Sequence, residues 1–185
     1  MMKLDLRFSD HPLEDLWCEA VVIFVFQKTP LLEDPLSRIN EKMAGLLGKI
    51  EKNGFWTGRL GEIILLASQN TIMADKMLLI GLGKDPKDDD QVLVDCVKEV
   101  GNTLDKLKIS DFVIHIAPVI GSMERYAYCL ELVACHLVET FLQKHHHETD
   151  FLLKIVFSIG KEPELNPLIG RLRGHLTKSL DISNS

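Results

Sequence analysis

Gly81-Leu82-Gly83-Lys84 closes an apolar run, and of all the patterns in this chain it comes nearest to a phosphate cradle. A full phosphate loop needs a longer glycine-rich turn followed by Lys-Ser or Lys-Thr at a helix start. Here Asp85-Pro86 follows the lysine, and a dinucleotide fingerprint would lack its third glycine. The segment reads as a plain turn after a strand, with Gly81 and Gly83 at the strand end where a ligand of an α/β sheet would sit. Pro118-Val119-Ile120-Gly121-Ser122 is the second candidate. It joins a buried strand to a long helix, where the open end of an α/β sheet and a helix N-terminus favour anions. Gly121 permits close approach and Ser122 can cap the helix. Pro118, Gly121, Ser122, Gly81 and Gly83 are therefore the expected ligand-binding set, for a nucleotide-like anion.

No catalytic residue is assigned. His115 and His136 lie in apolar surroundings without a Ser or Cys nucleophile at a recognisable spacing, and both read as core histidines. His-Glu-x-x-His and Gly-x-Ser-x-Gly are absent from the sequence. No metal site or cofactor is expected. His145-His146-His147-Glu148 is cation-rich, but adjacent helical side chains diverge by about 100° and do not converge on one ion. The run reads as a solvated helix end, and Asp88-Asp89-Asp90 as a solvated first turn. Cys18, Cys96, Cys129 and Cys135 form no Cys-x-x-Cys, three of them sit in apolar stretches, and they read as buried reduced thiols.

The elements that must position these residues follow from periodicity. Lys3 to Phe8 alternates in polarity as a strand does. Ala20–Phe26, Glu62–Ala67, Lys76–Leu82, Asp111–Ala117 and Phe151–Ile159 are apolar runs of the kind found in sheets covered on both faces. Asp34 as N-cap and Pro35 at the first helical position start one helix that runs to Lys52 and ends at Asn53-Gly54. Its apolar face is Leu36, Ile39, Met43, Leu46, Leu47 and Ile50. A second helix, Asp89 to Lys108, places Leu93, Val97, Val100, Leu104 and Leu107 at spacings of four and three. A third, ending near Lys144, carries Tyr126, Leu130, Val133, Leu137 and Phe141. Residues 163–180 form a shorter helix and 181–185 a polar tail. The expected fold is α/β, one domain over 1–185 with its core in 3–160, built on a mixed, mostly parallel sheet.

The 21 basic and 27 acidic residues give a net charge of −6, the wrong sign for neutralising phosphate backbones. Nucleic acid is not an expected partner, despite the local group Arg171, Arg173, His175 and Lys178. No apolar run reaches the roughly 18–20 residues that span a bilayer. Residues 1–7 alternate rather than forming a signal-peptide core. The expected location is cytoplasmic, with no membrane partner.

Three segments in order, Ala20–Phe26, Gly54-Phe55-Trp56-Thr57-Gly58-Arg59-Leu60-Gly61-Glu62-Ile63-Ile64-Leu65-Leu66 and Lys76–Lys84, resemble the N-terminal domain of the leucine (cytosol) aminopeptidases. That family has a strand ending in an aromatic, a phenylalanine–turn–glycine–glutamate–strand segment, and a strand closing in Gly-Leu-Gly-Lys. The resemblance covers about residues 3–160. It implies a macro-domain-like three-layer α/β/α sandwich that is non-catalytic and helps arrange subunits. The two-metal peptidase site belongs to a separate domain, none of whose metal-binding motifs occurs in this chain.

The same fold makes Asp111–Phe141 look like the segment of macro domains that wraps ADP-ribose phosphates. Against that, the stretch Gln27–Asn40 has no glycine and two prolines, and cannot cradle phosphate in the family's way. The expected function is a non-catalytic interaction or regulatory module, self-associating or binding a protein partner, with Trp17 or Trp56 as contact residues unless they are core. The alternative is a binder of ADP-ribose or a related nucleotide at the strand ends. A hydrolase of a nucleotide derivative ranks third, so enzymatic activity is not the primary expectation.

Overall fold

In the computed structural model the described residues are 2–27, 30–84, 90–116, 123–148, 150–159, 170–172 and 174. Six strands form one sheet in the order β1-β6-β5-β2-β4-β3. They are β1 (Lys3–Ser9), β2 (Cys18–Val25), β3 (Ile63–Ala67), β4 (Ala74–Gly81), β5 (Asp111–Ile116) and β6 (Leu152–Ser158). All neighbours are parallel except β3, which runs antiparallel to β4. Each expected strand is present, with ends shifted by a residue or two.

Alternation along the strands builds two apolar layers. Ala20, Val22, Phe24, Leu78, Ile80, Phe112, Ile114, Leu153 and Ile155 pack with the buried sides of α3 (Asp90–Lys106) and α4 (Met123–His145). Val21, Ile23, Val25, Met77, Leu79 and Val113 pack on the opposite face with α1 (Leu36–Lys42), α2 (Leu46–Lys52) and Trp56. A strand buried on both faces needs apolar side chains at every position, which is why β2 and β4 read as unbroken apolar runs.

Two helix expectations are corrected. The single helix 35–52 is two helices, separated where Ala44 and Gly45 take φ of +53° and +76°. Gly45 N–H donates to the Asn40 carbonyl at 2.8 Å, and Gly48 N–H to Asn40 Oδ1 at 3.0 Å. The turn thus satisfies its own backbone groups, and both helices still bury Leu36, Ile39 and Leu47. The start also differs. Pro35 is the N-cap, the Asp34–Pro35 peptide is cis, and Asp34 accepts from the Ser37 hydroxyl instead of capping a backbone N–H. The expected stop holds: Gly54 has φ +71° and Phe55 N–H reaches the Ile50 carbonyl at 2.9 Å. Of the expected helix 163–180, residues 170–172 and 174 are described and helical, and Leu172 is buried against the α3/α4 layer. No described helix is long and apolar enough to cross a membrane.

Candidate functional site

The four inner parallel strands point the same way, so Val25, Gly81, Ile116 and Ser158 end on one rim of the sheet. Of the expected ligand set, Gly81 and Gly83 sit on this rim. Pro118, Gly121 and Ser122 follow β5 in the sequence and lie outside the described residues.

The rim at β4 is occupied by the chain itself. Residues Thr57–Gly61 fold over it as a turn held from beneath by Glu62. One Glu62 carboxylate oxygen accepts from Thr57 Oγ1 at 2.9 Å, from Thr57 N–H at 3.1 Å and from Arg59 N–H at 3.1 Å. Gly83 N–H donates to the Gly58 carbonyl at 3.0 Å and Gly61 N–H to the Gly81 carbonyl at 2.9 Å. Both glycines are required by this packing. A Cβ on Gly81 would lie 2.1 Å from the Arg59 carbonyl oxygen. Gly83 has φ +66°, and a Cβ there would lie 3.0 Å from Leu60 Cβ. The close backbone approach at these glycines is made by the chain's own turn.

Three further features lie at the two ends of the sheet, and sequence reasoning missed the first and the third. The first joins the N-terminal turns of α3 and α4: Asp90 accepts from Arg125 Nη1 at 3.1 Å and from the Tyr128 hydroxyl at 2.8 Å. The Arg125 guanidinium also sits 5.6 Å from the Tyr128 ring centroid. Accepting the hydroxyl, the Asp90 carboxylate holds the Tyr128 pKa above its ordinary value. Residues 35 and 38 positions apart give no local pattern to find this by. Beside the cluster, Phe26, Leu60, Leu82, Leu93 and Cys129 line a small apolar pocket. Asp88 and Asp89 lie outside the described residues.

The second is His115, expected in the core and found there. Burial pushes its pKa down to about 4, with a hydrogen bond donated by the ring to the Ser158 backbone carbonyl partly opposing. Its Nδ1 is sealed from solvent without a hydrogen-bond partner. A neutral imidazole therefore stands one residue from the end of β5. His136, by contrast, is not a core residue. It lies on the partly exposed side of α4 and pairs with Glu139 one turn on, at 3.1 Å.

The third is at the opposite end of the sheet, where the histidine run is not simply a solvated helix end. His145 Nε2 lies 2.8 Å from Asp105 Oδ1 and Nδ1 lies 2.7 Å from Glu148 Oε1. Its ring stacks on Phe151 with centroids 3.9 Å apart. Lys144 and His145 together hold the Asp105 carboxyl below its ordinary range against the effect of its burial. His146 and His147 stay exposed. An open depression of about 730 Å³ follows, lined by Asp111, Glu148, Asp150 and Lys154 among others. Among the described residues, no three His, Cys, Asp or Glu side chains are grouped to share a metal ion. Burial raises the thiols of Cys18 to about 12 and of Cys96 and Cys135 to about 11, so these remain protonated and unreactive.

Residues 22–150 match the model of the cytosol aminopeptidase family, N-terminal domain. The chain belongs to this family. Curated relatives include the probable cytosol aminopeptidases of Nitrosomonas eutropha, 25% identical over 86% of this chain and 33% of the relative, and of Dechloromonas aromatica, 24% identical over 90% and 34%. The chain spans about a third or less of the length of the curated relatives it matches. Among solved structures, a tomato leucine aminopeptidase mutant superposes with TM-score 0.68 at 15% identity, over 92% of this chain and 35% of that one. An Oceanobacillus iheyensis macrodomain mutant superposes with TM-score 0.61 at 14% identity, over 95% and 93%. A Trypanosoma brucei macrodomain in complex with ADP gives TM-score 0.59 at 17% identity, over 92% and 68%. The sandwich is macro-domain-like, as the sequence resemblance implied.

Proposed function

We propose that this domain is a non-catalytic interaction and assembly module of the cytosol aminopeptidase family, working in the cytoplasm. The observation that carries the reading is the self-filled rim at β4. The Glu62-clamped turn packs on Gly81 and Gly83, so the backbone there is not open to a small ligand. The apolar surface left outward supports it further. Trp17 is 75% exposed and Phe55 70% exposed, whereas Trp56 is core at 5%. Large exposed aromatics are the side chains that anchor protein interfaces. Of the two tryptophans, Trp17 is the contact residue.

The test is association of the purified chain, followed by sedimentation velocity across a concentration series. Self-association, or a stoichiometric complex with a purified aminopeptidase subunit, supports the reading. A strictly monomeric chain that forms no such complex counts against it.

A second reading is favoured by one feature, the sealed and unpartnered Nδ1 of His115 close to the end of β5. A buried polar atom without a partner costs free energy unless something else supplies the hydrogen bond. A nucleotide-like ligand of the ADP-ribose class at the β5 and β6 ends would supply it. Calorimetric titration with ADP-ribose decides this: saturable micromolar binding, lost in Gly121→Trp without unfolding, would move the function to this rim. No heat at high ligand concentration removes it.

A further inference from the structure

His145, the last residue of α4, has a carboxylate oxygen at each of its two ring nitrogens. Asp105 Oδ1, from the last turn of α3, lies 2.8 Å from Nε2, and Glu148 Oε1 lies 2.7 Å from Nδ1. A neutral imidazole has one N–H and one lone pair, whereas the charged ring has two N–H groups. An ionised carboxylate only accepts. Both contacts are therefore hydrogen bonds together only when the ring brings both protons. The neutral ring sets a lone pair against a carboxylate oxygen at one of the two sites.

The surroundings suit the charged ring. Its plane lies 7° from that of Phe151, with the centroids 3.9 Å apart, and the face of an aromatic ring attracts a cation. The charged groups on the ring or its partners are Asp105 from α3, Lys144 from α4 and Glu148 beyond it. Lys144 Nζ donates to the second Asp105 oxygen at 2.7 Å. Two carboxylates against one ammonium leave the ring in a negative field. His146 and His147 are exposed and stack on each other. Asp111 and Lys154, from β5 and β6, pair with each other at 2.8 Å.

The two arms are unequal. The Asp105 side chain is 25% exposed and has the Lys144 ammonium as well. Glu148 is 55% exposed. Among the described residues its carboxylate has no partner besides His145. A less exposed acceptor loses more when its donor is withdrawn, so a single remaining proton stays on Nε2 with Asp105. Glu148 also lines the open depression of about 730 Å³ beside the latch, together with Asp111, Asp150 and Lys154.

We propose that His145 is a proton-operated latch: charged, it ties Glu148 to the end of α3, and as rising pH removes one proton it keeps Asp105 and lets Glu148 go. The link is complete while the ring is charged and loses one arm on deprotonation. The depression then gains a free carboxylate on its wall. The inference is independent of the assembly reading.

Nuclear magnetic resonance of the intact, nitrogen-15-labelled chain from about pH 6 to about pH 9 tests this. The ring nitrogen shifts of His145 count its protons: two N–H groups are expected at the acid end and Nε2–H alone at the alkaline end. The Glu148 N–H donates to the His145 carbonyl at 3.0 Å. Its protection from exchange, corrected for the intrinsic effect of pH, is expected to fall about tenfold over the same step. Glu148→Gln is expected to hold that protection level. The glutamine amide accepts from an N–H through its oxygen or donates to a lone pair through its nitrogen, so it stays attached to either form of the ring. Position 148 is exposed, and unchanged circular dichroism will verify the fold of the variant. A ring with a single N–H already at pH 6 overturns the latch. So does protection at Glu148 that ignores the titration of the ring, or a Glu148→Gln variant that follows the wild-type profile.

Discussion

Lowering the pH from 7 to 5 is expected to destabilise this domain through His115, and the size of the effect follows from its burial. The imidazole ordinarily titrates at 6.5 and here at about 4. The folded-state pKa lies below the unfolded one, so below pH 6.5 the unfolded chain binds the proton first. Stability is then fully present above about pH 6.5 and is lost progressively as the pH falls toward 4. At about 1.4 kcal/mol per pKa unit, the whole loss is about 3 kcal/mol, with about 2 kcal/mol gone by pH 5. That is a large share of a typical domain's stability of roughly 5–15 kcal/mol. The assay is urea unfolding of the wild type and His115→Leu at several pH values between 7 and 4.5. The six other histidines are common to both proteins and cancel in the difference. The wild type should lose about 2 kcal/mol more than the variant between pH 7 and 5. Equal slopes would refute the reasoning, because they would mean that the ring takes up its proton in the folded state as easily as in the unfolded one.

The remaining expectations concern packing. Gly81→Ala should cost about 3 kcal/mol in urea unfolding, since a Cβ 2.1 Å from the Arg59 carbonyl oxygen forces the turn off the rim. Gly54→Ala, with the left-handed φ but open space, should cost only about 1 kcal/mol. Glu62→Ala should cost about 2 kcal/mol and increase hydrogen exchange at Thr57 and Arg59, whose N–H groups it leaves without an acceptor. Trp56→Ala should lower stability by about 3–5 kcal/mol, and Trp17→Ala by no more than about 0.5 kcal/mol, as read by thermal unfolding. Equal effects of the two tryptophan changes would invalidate the division between core and surface.

Composition and periodicity determined the layered α/β architecture. A run such as Ala20–Phe26 has no polar face, so it has to lie in a sheet covered on both sides. Heptad-like spacing in α3 and α4 named the sides that cover it, and Gly54 marked the stop of α2, because these signals are local. The break at Ala44-Gly45 escaped, since the apolar positions on either side remain in phase and only the backbone turn records it. Likewise, Gly81 and Gly83 marked a turn after a strand, but the backbone that packs on them comes from Thr57–Gly61, twenty or more residues earlier. Asp90 with Arg125 and Tyr128, and Asp105 with His145, are pairings between elements 35–40 residues apart. Long-range contacts leave no periodic trace in a single chain. Which tryptophan faces water and which histidine is sealed were decided only when strand order and helix packing brought distant residues together.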